Sequence, residues 1–423
     1  MHVRPSLSIK VKAGALQFTI AFSLLVLMLV LSFLVFHELK GKELTNMQMH
    51  TRLMTDIRSA VLVMEESPQL FSQDSASFYL KAPAFSDSVG VRVKEWGLYH
   101  FVRLQSRFRH ISMQKNFLFT DDICKNKLKP SLYFSDPHRY LSVGGKTLLG
   151  NDSWLPGYGV RKAYVNGIGY YRDSLVHGRS HQAEDKLPAL QEKLNDQYSR
   201  LLAGITGPDS IVDLAAISPA DTVFNSFSNK RLIIRCPEEA VLEEITFRGN
   251  IVLWGKQIEI RNTVRIKTCL ILAESVKIED KFSGSGQFIA REFISAGDSC
   301  VFDAPTLFYC QSGSPAAGIH LGEGCLFRGD IILPQPHSEG TESLTVGEGT
   351  KMTGQVYCNG IVSFKGTLFG SLFCKGFVHR TKNGIYNNYL LNVCIDYGRI
   401  PKEYGGVTLT EKENGKKCML EVF

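Results

Sequence analysis

Carboxylates fall near one another at two places where this chain could do acid–base work. Glu323 and Asp330 have Arg328 between them, and Glu279-Asp280 stand beside Lys281. Glycoside cleavage needs this chemistry: one carboxyl group gives a proton while a second serves as base or nucleophile. Glu323, Arg328 and Asp330 are therefore the candidates for a glycan groove. No spacing fixes a second carboxylate opposite the first, and charges are equally the ordinary outward face of a sheet. His320, just before Gly322-Glu323-Gly324, invites comparison with an acyl-transfer base, although a corner histidine is more often a solvated loop residue. Gly144-Gly145-Lys146-Thr147 ends like a phosphate-binding loop but lacks the first glycine at the right distance. The ten cysteines include no C-x-x-C pair, so a zinc site has no pattern to rest on. Cys300, Cys358 and Cys374 fall among apolar triplets, as small hydrophobes do. Cys394 and Cys418 are the pair with most reason to form a disulfide. No catalytic, cofactor-binding or metal-binding residue is assigned, and no cofactor is expected.

The element that must position these side chains is Ile251–Phe302. Every sixth residue from Val252 through Ile258, Val264 and Leu270 to Cys300 is apolar, and each has an apolar residue or glycine two places on. An apolar–polar–apolar triplet is a short strand with one buried face. Repeated every six residues it reads strand, corner, strand, corner, and three sides close a coil of about 18 residues, a parallel β-helix. Val252, Leu270 and Phe288 are expected to stack in one interior ladder, and Ile258, Val276 and Ile294 in another. Glycine-rich corners recur at 143–150, 321–329 and 346–354, the last two in register.

Residues 1–12 carry Arg4, Lys10 and Lys12, and Ala13–Phe36 follow without a charge. As helix that stretch is about 36 Å long, enough for a hydrocarbon core of about 30 Å. It is longer than a cleaved leader's core, so the span is read as retained, with the basic end in the cytoplasm. Met47, Met54 and Val61, interleaved with His50, Ile57 and Met64, form a heptad seam. Met47, Met54, Ile57, Val61 and Met64 are thus a candidate stalk interface, for neighbouring subunits or for the chain's own domain. The net charge of +7 is spread along the chain, which argues against a nucleic-acid partner.

The expected layout is a cytoplasmic tail (1–12), a transmembrane helix (13–36), a helical stalk (37–67) and a small antiparallel β head (68–130). A first β-helix coil or coils (131–178), a helical insertion and connection (179–227), the parallel β-helix (228–380) and a C-terminal cap (381–423) complete it. The fold class is mainly β.

The paired apolar positions over roughly 245–380 resemble those of bactofilins, which implies a right-handed β-helix. The helix at 10–65 resembles the spine of type IV pilins and pseudopilins, with Lys12-Ala13-Gly14-Ala15 at the place of a prepilin junction. Thr19 stands where that family has glutamate. Leu132-Tyr133-Phe134-Ser135-Asp136, Gly145-Lys146-Thr147 and Ile395-Asp396-Tyr397 are similar to segments of uncharacterised bacterial membrane-anchored proteins. Together these imply a non-enzymatic, single-pass protein of the cytoplasmic (inner) membrane with its bulk outside the cytoplasm. It would be a structural or assembly component, in a pilus- or pseudopilus-like apparatus, with the lipid bilayer and protein partners or copies of itself as contacts and no small-molecule substrate. The alternative is a β-helix that binds or cleaves cell-envelope polysaccharide.

Overall fold

The computed structural model describes residues 13–71, 77–81, 88–109, 111–123, 128–165, 167–204, 210–312, 314, 317–336, 341–382, 384–402, 404–410 and 417–422. The expected cytoplasmic tail, 1–12, lies outside them. The protein is mainly β, with one long apolar helix at its N-terminal end. It falls into two units. The smaller takes the helix as far as Ala60 with Tyr79–Val89 and Gln105–Gln114; the larger takes Val61–Phe78, Gly90–Leu104 and Lys115–Phe423.

The helix runs over Ala13–Glu66, 54 residues or about 80 Å, and is long and apolar enough to cross a membrane. Within its apolar stretch the Thr19 and Ser23 hydroxyls donate to the Ala15 and Ile20 carbonyls, so both are satisfied inside the helix. Side chains from Leu16 to Leu44 stand exposed, and burial begins at Met49. The buried stripe is Met49, Leu53, Ile57, Ala60, Val61 and Met64. It differs from the heptad reading at its start: Met47 is 61% exposed and Met54 half-buried, while Ile57, Val61 and Met64 are buried. A straight helix repeats every 3.6 residues, so a stripe packed within one chain drifts off a seven-residue seam. In the smaller unit Ser106 donates to buried Asp56 and Arg52 lies over the Phe108 ring.

In the larger unit parallel strands assemble into one closed sheet. Partner strands sit 18 residues apart at its regular centre: Val252 pairs with Leu270, and Ile258 with Val276 and then Ile294. That second column holds as expected at Ile258, Val276 and Ile294, and the structure extends it back to Ala240 and on through Ile319, Leu344 and Val362 to Phe377, all buried in one core. The first column does not. Phe288 aligns with Ile271, not Leu270, and the core column is Ile234, Leu253, Ile271, Phe288, Phe308, Ile331, Val356 and Leu372. Val252 and Leu270 belong to a second apolar cluster with Trp96, Tyr99, Tyr198 and Tyr309. This side of the sheet is apolar on both faces, so period-two alternation disappears from its sequence and the phase can be read either way.

Leu132–Phe134 pair in parallel with Leu372–Cys374, Ser153–Leu155 continue from them, and Ser180–Gln182 follow. Leu132–Phe134, Leu148–Leu149 and Ser153–Leu155 thus extend the same closed sheet, while Leu141–Gly144 and Val160–Lys162 join Tyr389–Leu391 in a separate three-stranded sheet. The last segment is divided among several places. Gly384–Asn387 folds back on Val378–Thr381, Tyr389–Leu391 lies beside Ser142–Gly144, and Cys394–Ile395 sits between Thr367-Leu368 and Leu148-Leu149. Lys417–Val422 adds antiparallel to Asn116–Asp121 in a separate sheet that also contains Val89–Trp96 and Tyr99–Phe108. The turn at Gly97, of positive φ, is fastened to the parallel sheet by buried Gln287, which accepts from Leu98 N–H and donates to the Trp96 carbonyl, both at 2.8 Å.

One corner of the closed sheet is built from left-handed residues stacked on one another: Lys281, Ser299, Gly324 and Gly349, with φ between 57° and 73°. Amide N–H groups of Lys281, Ser299 and Gly324 donate to the Asp298, Glu323 and Glu348 carbonyls of the next layer. A side chain at such φ costs about 1–2 kcal/mol, partly offset by the greater unfolded-state freedom of glycine. Lys281→Gly, exposed and with φ 62°, is therefore expected to stabilise the protein by about 0.5–1 kcal/mol, read as a raised urea midpoint. An unchanged or lowered midpoint would show that the corner is not strained.

Candidate functional site

The three groove candidates are not brought together. Glu323 is an exposed corner residue, and Arg328 is exposed and paired with Asp303 at 2.7 Å. Asp330 is completely buried, where it accepts from the N–H groups of Gln355 (2.9 Å) and Val407 (2.6 Å) and the Tyr404 hydroxyl (3.2 Å). Burial pushes its carboxyl up to about 6, against the pull of those donors. Tyr404 and nearby Tyr99 are raised well above the usual phenol range by burial and then by Asp330.

The corner carboxylates are fasteners. Asp280 Oδ1 accepts from Asp298 N–H, Asp298 Oδ1 from Glu323 N–H, and Glu279 holds Asn262 N–H and Arg261. Each acid ties its layer to a neighbouring one. His320 lies within Gly318–Leu321 between Ser295 and Thr345. The Thr147 hydroxyl is turned back onto the Gly144 carbonyl, which closes that loop on itself. Cys394 and Cys418 do not bridge: one lies in the parallel sheet and the other on the C-terminal strand of the other sheet. Cys236, Cys269, Cys310 and Cys358 are pushed up to about 12, chiefly by burial, which makes them inert packing groups. Among the described residues no group of His, Cys, Asp and Glu could hold a metal ion.

The surface features instead gather around one short helix, Glu192–Gly204. Its buried residues Leu194, Gln197, Tyr198 and Leu201 recur at helical spacing, so one face is sealed and its edges border open space. The helix falls within the expected insertion, 179–227, and begins after Pro188, whose carbonyl accepts from the Tyr357 hydroxyl. On one edge Tyr198 and Leu202 help to line a groove of about 530 Å³ with Trp254, Leu272, Arg235, Glu238 and Glu274. Trp254 is 37% exposed and stands in register between Arg235 and Leu272. On the other edge Arg200 helps to line a cleft of about 620 Å³ with Arg92, Lys94, Arg103, Lys230 and Arg231, where the one carboxylate among the lining residues is Glu95. Arg200 makes a two-pronged contact with that carboxylate at 3.0 and 2.9 Å. A smaller cavity of about 170 Å³ holds Lys193, His100 and the Lys417–Asp121 ion pair.

None of this was visible in the sequence. The cleft's cations come from four separated stretches, each with an unremarkable density of charge, and only tertiary folding collects them. Trp254, two places after Val252, falls where the six-residue pattern expects an inward residue, because the phase on its side of the sheet is ambiguous by one residue. Compared with family models, curated proteins and solved structures, the chain matches none.

Proposed function

We propose that this is a membrane-anchored structural or assembly protein of a bacterial cell envelope. In this reading Ala13–Phe36 is a retained span, the N-terminus is cytoplasmic, and the closed parallel sheet is a β-helix held outside as a rigid support for protein contacts. The 18-residue offset between parallel partners at the regular centre of the sheet supports the coil. The observation that carries the reading is the helix itself: beyond the charge-free stretch it leaves Leu44 and Met47 about as exposed as the membrane-spanning positions, at 59% and 61%. Those side chains suit contact with other membrane-spanning helices, as in a pilus- or pseudopilus-like apparatus. The corner carboxylates serve structure, which favours a scaffold over an enzyme.

The test is chemical cross-linking and co-purification from membranes, with a C-terminal tag probed by external protease for topology. Leu44→Glu with Met47→Glu is expected to abolish co-purification and leave the melting temperature unchanged, whereas Glu323→Gln leaves both unchanged. Retained partners in the double variant would overturn the assembly role, and a protected C-terminal tag would overturn the topology. A second reading rests on the Trp254 groove, since an exposed indole flanked by polar side chains is suited to a saccharide ring. Loss of polysaccharide retention on Trp254→Ala, with partners retained, would favour it.

A further inference from the structure

We infer that the cleft between Arg92, Lys94, Arg103, Arg200, Lys230 and Arg231 is a binding site for a small ligand carrying two or more phosphate or carboxylate groups. Six cations line it against one carboxylate, and that carboxylate is already engaged by Arg200. Among the described residues no acid pairs with Arg92, Lys94 or Lys230, all three of them exposed. Like charges gathered without counter-charges repel one another, and an anion removes that cost.

Two of the arginines are also fixed before any ligand arrives. Arg103 donates from Nη2 to the Phe227 carbonyl and lies against the Phe101 ring, while Arg231 donates from Nη2 to the Gly204 carbonyl, both hydrogen bonds at 2.8 Å. Arg103 Nε is sealed from solvent and has no acceptor among the described residues. A guanidinium already oriented by one hydrogen bond meets an oxyanion at a lower ordering cost. The proton affinity of Arg103 is lowered, first by burial and then by the neighbouring Arg92 charge, as a cation short of an anion should be. At about 620 Å³ the space lies within the range of about 300–1,000 Å³ that houses small ligands. Buried Trp96 and Phe227, in edge-to-face contact at 5.3 Å, give it a firm floor.

The experiment is calorimetric titration of the full chain in neutral detergent with tripolyphosphate and with trigalacturonate, using maltotriose as the uncharged control. At about 50 mM salt at least one anionic probe is expected to bind, with affinity falling as salt rises. Arg92→Ala, Lys94→Ala and Lys230→Ala combined should weaken it by about tenfold or more with an unchanged melting temperature. Arg103→Lys, which keeps the charge and loses the fork, should weaken it as well. Binding of tripolyphosphate alone identifies a phosphate ester as the ligand, and of trigalacturonate alone an acidic saccharide. The inference is overturned if neither probe binds better than maltotriose, or if the triple variant binds as tightly as the parent.

Discussion

Gly370→Ala is expected to destabilise the larger unit by about 4 kcal/mol. Gly370 has φ 154°, and a Cβ there would overlap the Gly354 carbonyl oxygen. The clash is with backbone of the adjacent layer, so no side chain can swing aside to relieve it. Gly354, φ 141°, meets the same obstacle from the Gly329 carbonyl and from the Tyr404 hydroxyl. Overpacking costs about 1–3 kcal/mol and an unfavourable φ about 1–2 more. Gly384→Ala is the control: φ is 156° but nothing lies near its Cβ, so only the conformational part should be lost. Denaturant unfolding of the three variants checks this. Equal effects at Gly370 and Gly384 would mean that the layers are not so closely stacked.

Stability should also depend on pH through Asp330. Its carboxyl is raised from 3.8 to about 6 in the folded protein, so between those values the native state holds a proton that the unfolded chain has lost. Folding is then favoured at the acid end, and this contribution is lost as pH rises from about 4 to about 6. The difference amounts to about 3 kcal/mol for a group with no solvent exposure. Relative to Asp330→Asn, which cannot ionise, the parent is expected to lose about that much stability between pH 4 and pH 7. Parallel stability curves for the two proteins would remove the argument. A parent that gains on the variant with rising pH would mean that the Gln355, Val407 and Tyr404 donors outweigh burial.

Some of this was open to a reader of the sequence, and the boundary has a physical cause. The column through Ile258, Val276 and Ile294 was legible because one face of those strands is wet: Glu259 and Lys277 alternate with the buried residues and mark the phase. Cys269-Leu270-Ile271-Leu272 carries no such mark, since both faces are buried, and the inward set was misread by one residue. The apolar helix was legible from composition alone, but which of its residues are buried beyond the span depends on the rest of the chain. Asp330 looked like an accessible carboxylate because charge normally marks surface. Its burial depends on a segment more than seventy residues later that supplies the Tyr404 and Val407 donors. The basic cleft had no local signature at all.

The attachment of Leu132–Phe134 to Leu372–Cys374 has a bearing on how the protein is made. Pro130 and Ser371, joined by a hydrogen bond, are 241 residues apart in the chain. At about 5–20 residues per second a ribosome needs tens of seconds to deliver the later partner after the earlier one has emerged. Throughout that interval the early strands have no template, and their apolar residues must be shielded by other means or risk aggregation. Once delivered, the late strands lock the early ones in place. The edge of Leu372–Cys374 is then closed by strands synthesised long before it.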